Sequence, residues 1–259
     1  MPQILSQDLL GGRLCLQLLP RAAYSARDPA QWQSLGLTLE RQRGVHAIDS
    51  DHRVDFDTLP GVLAFTPVGV EVFSESASGG EYLLLRVHEP LANLHLPVVD
   101  HRVQSHGNRQ ALMLGHEMRR LLLDPQVDVM ALEQCALALV GLEQSSVHTP
   151  PSAVSTAFCA VLEQIAEQFH EPLTLEQLAQ TYGHNELRLL RDFTRATGLT
   201  PHAYLVQTRL RAARRLIEVT DRPLSDIALD AGFSHQSHMG SAFRKHLGMT
   251  PSQYRARIG

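Results

Sequence analysis

Cysteine is scarce in this chain, and nothing about its placement suggests pairing. Cys15, Cys135 and Cys159 are the three in 259 residues, far apart and in no C-x-x-C pair. An odd number at such spacing argues against a disulfide framework or a thiolate zinc site and fits a reducing compartment. Each reads as a small buried hydrophobe. No run of about 18 apolar residues occurs, so no membrane-spanning helix is expected. The opening MPQILSQDLLGGRLCLQLLP has no basic start ahead of an apolar run. It does not read as a secretion signal, and the expected location is the cytoplasm. Lysine is nearly missing too. Lys245 stands alone and every other basic residue is Arg, a bias that carries no functional inference. The familiar catalytic signatures are also lacking. There is no G-x-S-x-G, no P-loop and no Cys–His arrangement with a third group, and the 14 histidines are scattered. The expectation is a protein that is not an enzyme and needs no cofactor.

What is present describes a globular protein. Hydrophobic residues make up 44% and charged residues 19%, enough for a real core. The length suits one large domain or two ordinary ones. Net charge is −4, which by itself does not suggest nucleic acid. Its distribution says more. Residues 171–259 hold 12 Arg and Lys against 8 Asp and Glu, a net of +4, whereas residues 1–170 hold 11 against 19, a net of −8. An acidic front and a basic back imply two tasks.

The boundary falls at HTPPS, His148–Ser152, where two prolines cannot continue a helix. Ahead of it, from Arg13 to Val99, short strand-like runs are broken by Gly, Pro, Asp and Ser: RLCLQLL, GLTLERQ, VLAFTPV, VEVFSES and EYLLLRV. That is the pattern of a small all-β barrel or sandwich, assigned to residues 1–100. Helical spacing follows over 104–147, with two helices broken at Asp124-Pro125. Beyond the boundary, residues 153–259 read as helices near 153–169, 174–181, 186–197, 201–219, 224–231, 235–247 and 251–257. Thr174, Asn185, Thr200, Ser234 and Thr250 are the expected N-caps. Pro201 and Pro251 fall at first helical positions.

The C-terminal part is written twice. GLTPHAYL at Gly198–Leu205 and GMTPSQYR at Gly248–Arg255 share G-x-T-P-x-x-Y, 50 residues apart. Upstream, Phe193 matches Phe243, and the pair Ala179/Gly183 matches Ala228/Gly232. A short helix, a glycine turn and a second helix spell helix-turn-helix. Leu189 and Phe193 share the inner face of one second helix, Met239 and Phe243 that of the other. Residues 157–257, through LTLEQLAQTYGHNELRLLRDFTRATGLTPHAYL and PLSDIALDAGFSHQSHMGSAFRKHLGMTPSQYR, resemble the DNA-binding domain of the AraC/XylS family of bacterial transcription regulators. The resemblance implies two helix-turn-helix units, about 174–197 and 224–247, joined by a long helix at 201–219. At 1.5 Å per residue that helix spans about 28 Å, close to the roughly 34 Å between successive major-groove segments on one face of DNA.

By the same resemblance, the first reading helix offers Leu187, Arg188, Leu190 and Arg191 to bases. Arg191 can pair with guanine, whereas the leucines offer only apolar contact. The second offers Gln236, Ser237, His238, Gly240 and Ser241, with Gln236 suited to adenine. Met239 stands where the family usually has a bulky aromatic, and Ser241 where Arg is frequent. Arg195, Arg209, Arg244 and Lys245 are the phosphate candidates.

In the front half, GVLAFTPVG at Gly61–Gly69 matches G-x5-P-x-G, an opening of a cupin motif. The position three residues after Gly69 is Val72 rather than a histidine, and His46 and His52 lie six apart without a clear carboxylate partner. No metal site is expected. The expected fold is therefore α+β in two domains, a cupin-like barrel with a helical dimerisation segment, then an all-α reader. Leu112, Met118, Leu121 and Leu122 are the candidate dimer residues. Double-stranded promoter DNA, RNA polymerase, a second copy of the chain and a small-molecule effector are the expected partners; a membrane is not. The alternatives are a cupin-type metalloenzyme with an accessory DNA-binding domain, or a dimeric DNA-binding protein that needs no ligand.

Overall fold

The computed structural model describes residues 4–28, 31–87, 99–105, 108–143 and 156–258. The HTPPS boundary lies outside them. Two compact units divide the chain, one formed within Met1–Ser152, the other by Ala153–Arg195 and Leu199–Gly259. The fold is α+β.

The first unit is built from antiparallel strands: β1 (Leu5–Leu9), β2 (Leu14–Leu19), β3 (Tyr24–Asp28), β4 (Gln33–Thr38), β5 (Gln42–Ile48), β6 (Val54–Thr58), β7 (Leu63–Thr66), β8 (Val72–Ser76), β9 (Tyr82–Val87) and the short β10 (Val103–Gln104). One sheet runs β1-β2-β9-β4-β7-β10 and the other β3-β8-β5-β6. Among the described residues no ladder joins the two sheets, so the closed barrel expected from the sequence is instead a pair of sheets around a shared interior. The run GLTLERQ, expected as one strand, is divided. Its first part ends β4 in the larger sheet and its last residue, Gln42, begins β5 in the smaller.

Helices α1 (Arg109–Leu122) and α2 (Val129–Glu143) follow, separated across Asp124-Pro125 as the spacing predicts. Asn108 caps α1, its Oδ1 accepting from the backbone N–H of Gln110 at 2.9 Å and of Ala111 at 3.1 Å. α1 lies against the large sheet. A Cβ on Gly115 would come within 2.4 Å of Leu37 Cδ2, so a side chain there would displace the leucines beneath the helix. Arg119 and Glu81 pair at 2.8 Å with side chains only 5% exposed, tying the helix to the residue before β9. Glu133 Oε1 accepts from the Leu10 N–H at 2.7 Å and ties α2 to the end of β1. Leu112, Met118, Leu121 and Leu122 are buried within this unit. The helix directs them inward because they share its apolar stripe, so as a dimer seam they are corrected. The apolar residues this helix pair exposes are others, Met113, Met130 and Leu137 among them.

The second unit holds α3 (Thr156–Gln168), α4 (Leu175–Tyr182), α5 (Glu186–Thr197), α6 (Pro201–Val219), α7 (Leu224–Asp230), α8 (Gln236–Leu247) and α9 (Pro251–Ile258). The local signals explain the boundaries. Thr174 and Gln177 form a capping box that starts α4. Thr200 Oγ1 accepts from Ala203 N–H at 3.2 Å, with Pro201 at the first position of α6. Thr250 Oγ1 accepts from Gln253 N–H at 3.2 Å, and Gln253 Oε1 accepts in return from Thr250 N–H at 2.8 Å. One cap departs from expectation. α8 begins at Gln236, and its cap is His235, whose Nδ1 accepts from His238 N–H at 3.1 Å. Ser234 instead meets His238 Nδ1 through its hydroxyl at 3.2 Å.

Candidate nucleic-acid interface

The two copies of the repeat are two braced helix pairs. In each, the alanine of the first helix is buried, Ala179 at 5% and Ala228 at 0% exposure, which lets the second helix cross close by. The turn of the second copy requires glycine twice over. Gly232 has φ +81°, and a Cβ there would sit 2.5 Å from the Phe169 carbonyl oxygen. Leu189 and Phe193 of α5 are fully buried, as are Met239 and Phe243 of α8. The repeated tyrosine closes each pair. Tyr204 meets Phe193 edge-on at 5.4 Å between centroids, and Tyr254 meets Phe243 in the same way at 5.8 Å. G-x-T-P-x-x-Y is thus a complete local instruction. Glycine ends the reading helix in left-handed backbone, Thr-Pro starts the next one, and the tyrosine one turn on locks the reading helix's phenylalanine.

With their inner faces fixed, α5 and α8 present their remaining faces outward. On α5, Leu187 is 75% exposed, Arg188, Arg191 and Arg195 are exposed, and Leu190 is half-buried. Arg188 lies 3.6 Å from Asp192, whose other contact is a hydrogen bond from the Tyr182 hydroxyl at 3.0 Å. Arg191 has no such carboxylate among the described residues and is the freer cation. On α8, Gln236, Ser237, His238, Ser241, Arg244 and Lys245 are exposed. The Ser241 hydroxyl donates to the Ser237 carbonyl at 3.0 Å, leaving it as an acceptor toward any further partner. Gly240 is buried, yet the nearest atom to a Cβ placed on it is Arg244 Nη1 at 3.9 Å, an ordinary contact. Arg244 and Lys245 occupy the last turn of α8, where positive charge also suits the helix dipole.

One phosphate candidate is corrected. Arg209 directs Nε to the Phe169 carbonyl at 2.7 Å and Nη2 to the Glu171 carbonyl at 2.8 Å. Burial lowers its pKa from the ordinary value. The guanidinium bonds the Phe169 carbonyl just past the end of α3 and the Glu171 carbonyl, which also accepts from Leu173 N–H, a structural role that sequence spacing does not reveal.

The first unit holds a group of residues that the sequence reading missed. Between its sheets lies a cavity of about 410 Å³. Polar side chains from successive strands reach it, among them Tyr24, Gln42, His46, Thr66, Tyr82 and Arg102. Gly36 gives Tyr82 its place, since a Cβ there would fall 1.6 Å from the Tyr82 hydroxyl. The missed signal is the period-two spacing of Ser34, Gly36 and Thr38 on β4, set between leucines that face the other side. Among the described residues no group of three or more His, Cys, Asp and Glu is placed to hold a metal.

A helix-turn-helix domain family matches residues 178–257. The HTH-type transcriptional activator RhaR of Klebsiella pneumoniae is 30% identical over 163 residues, 60% of this chain and 57% of that protein. The regulatory protein SoxS of Salmonella typhimurium is 35% identical over 98 residues, 38% of this chain and 92% of that protein. Among solved structures, the DNA-binding domain of the transcriptional factor AdpA, in complex with a target DNA, is 30% identical. It covers 40% of this chain and 93% of its own, with a TM-score of 0.39. The chain spans little more than half the length of RhaR but nearly all of SoxS. With its duplicated reading unit and a match that takes in almost the whole of a short regulator, the chain belongs to the AraC/XylS family of helix-turn-helix transcriptional regulators.

Proposed function

We propose that this protein is an effector-responsive transcriptional activator that reads two adjacent major-groove segments of promoter DNA with α5 and α8. The observation that carries the reading is the pair of braced helices. Each has a fully buried inner face and an outer face of exposed polar and basic side chains. In this reading Arg191 recognises guanine, Gln236 recognises adenine, and Ser237 and His238 add contacts to bases or sugar-phosphate. Leu187 and Leu190 offer apolar contact, so the first unit positions more than it discriminates. Arg195, Arg244 and Lys245 neutralise phosphates. The two-sheet unit acts as a cupin-like sensor, and a second copy of the chain joins through the exposed side of α1 and α2. RNA polymerase is the partner recruited, and the site of action is the cytoplasm.

Selection of binding sites from random DNA with the full chain tests this reading. The expected result is two enriched blocks about 10 base pairs apart, the spacing of one helical turn. Enrichment of a single block would remove one of the two helices as a reader. No enrichment at all would overturn the proposal.

A further inference from the structure

The cavity in the first unit contains a charge without a counter-charge. Arg102, immediately before β10, is half-buried at its wall. Its Nη1 donates to Thr66 Oγ1 at 2.7 Å, which fixes the direction of the guanidinium. Its Nε is buried and has no hydrogen-bond partner. The cavity's one acidic residue among the described residues is Asp28, and that carboxylate is held by Arg86 at 3.5 Å. A buried guanidinium N–H without an acceptor is unfavourable, more so because it belongs to a cation. A bound anion supplies the missing counter-charge.

The surroundings define the rest of the ligand. Val62, Ala64, Val70, Val72 and Leu84 make much of the wall apolar. Next to Arg102, burial and then the arginine's own charge lower the His46 pKa from its ordinary value, so this ring does not add a second cation. On the facing sheet the Tyr24 hydroxyl is already placed, donating to Gln42 Oε1 at 3.3 Å and lying 3.1 Å from Ser74 Oγ. One positive fork in a chamber whose other polar groups are neutral, apart from the paired Asp28, and whose wall is apolar over much of its extent matches one carboxylate on a largely apolar body. A cavity of about 150 Å³ accommodates benzene, so about 410 Å³ has room for roughly 15 non-hydrogen atoms.

We propose that this cavity binds a small amphipathic carboxylate, its carboxylate on Arg102 and its apolar body along β7 and β8. The proposal rests on the reading of this unit as the effector sensor and names the ligand's chemical class.

The test uses the full chain and matched probes: naphthoate against naphthalenemethanol, and phenylbutyrate against phenylbutanol, with dissociation constants from calorimetry. The expected result is that at least one acid binds about tenfold or more tighter than its alcohol. Arg102→Gln should abolish that preference and leave alcohol binding unchanged. Equal binding of acid and alcohol, binding of neither, or a preference that survives Arg102→Gln would overturn the proposal. Should that variant fail to fold, Gly36→Ala locates the site. The added methyl displaces the Tyr82 ring, and acids and alcohols should weaken together; unchanged binding would place the ligand elsewhere and overturn the assignment. DNA affinity measured alongside separates the two layers. Acid binding that leaves DNA affinity unchanged keeps this inference and removes the sensor reading. DNA affinity that responds equally to acid and alcohol keeps the sensor and removes this inference.

Discussion

Arg188 and Arg191 lie three residues apart on one helix, and among the described residues only Arg188 has an acid beside it. Asp192 at 3.6 Å competes with any base or phosphate for the Arg188 guanidinium. Arg191 carries no such competition, so its removal should cost more. Arg191→Ala is expected to weaken binding by about 1–3 kcal/mol and relax one base position. Equilibrium binding to single-base variants of the selected site would show this. Gly240 poses a different question at the same scale. A methyl group fits there within the fold, and replacing a helical glycine should stabilise the protein by up to about 1 kcal/mol. If DNA approaches the α8 backbone at this point, the same methyl should weaken binding. Gly240→Ala is therefore expected to raise the denaturation midpoint and lower DNA affinity together. A rise in both would show that the backbone is not approached.

At the scale of elements, the reading helices are held from behind by their phenylalanines and the repeated tyrosines. The second brace also has a polar end. The Tyr254 hydroxyl donates to Glu218 and accepts from Arg214 Nε at 3.2 Å. Burial raises the Tyr254 pKa above its ordinary 10.0; Arg214 works against this, and the hydrogen bond to Glu218 adds to it. A phenol that resists ionisation in the fold contributes stability fully below about pH 10, and that contribution is lost as the pH climbs to the folded value. Tyr254→Phe should therefore cost about 1 kcal/mol at neutral pH, through the lost hydrogen bonds, and flatten the alkaline loss of stability. Urea unfolding at neutral pH and above pH 10 measures both.

The same scale shows why half of the fold was easier to read. α6 runs from Pro201 to Val219, the range its sequence predicts, because Thr200, Pro201 and the helical spacing are all local signals. The strands around the cavity lack them. Tyr24, Ala26 and Asp28 of β3 turn toward the cavity, so no apolar stripe marks that strand, and it was not anticipated. On β4 both faces are covered, one by α1 and one by the cavity wall, which hides the alternation. The outward faces of α5 and α8 were legible because they are the remainder once the buried positions are assigned. Arg102 was not, since its meaning depends on a strand partner and an absent acid that only the folded sheets define.

For the whole molecule, charge is divided between the units. The second carries the positive excess and the first the negative one, so attraction to DNA depends on a few exposed cations rather than on net charge. With Arg195, Arg244 and Lys245 on phosphates, log affinity should fall with log salt at a slope of roughly −3. Lys245→Ala should flatten that slope by about 1 while weakening all sequences alike. Binding titrations across salt concentrations decide this, and a loss confined to one sequence would make Lys245 a reader instead.

The two braced helices are alike inside and unlike outside. Phe193 and Phe243 match, whereas Leu187 and Arg191 on one outer face are answered by Ser237 and Ser241 on the other. A symmetric dimer of identical readers sees the same site from either strand. Two unlike readers in fixed order on one chain see a site with a left and a right. Reversing the site turns the whole protein around, together with whatever surface it offers to its neighbours. In the proposed mode of binding the duplex thereby acquires an orientation, and upstream differs from downstream for the bound chain.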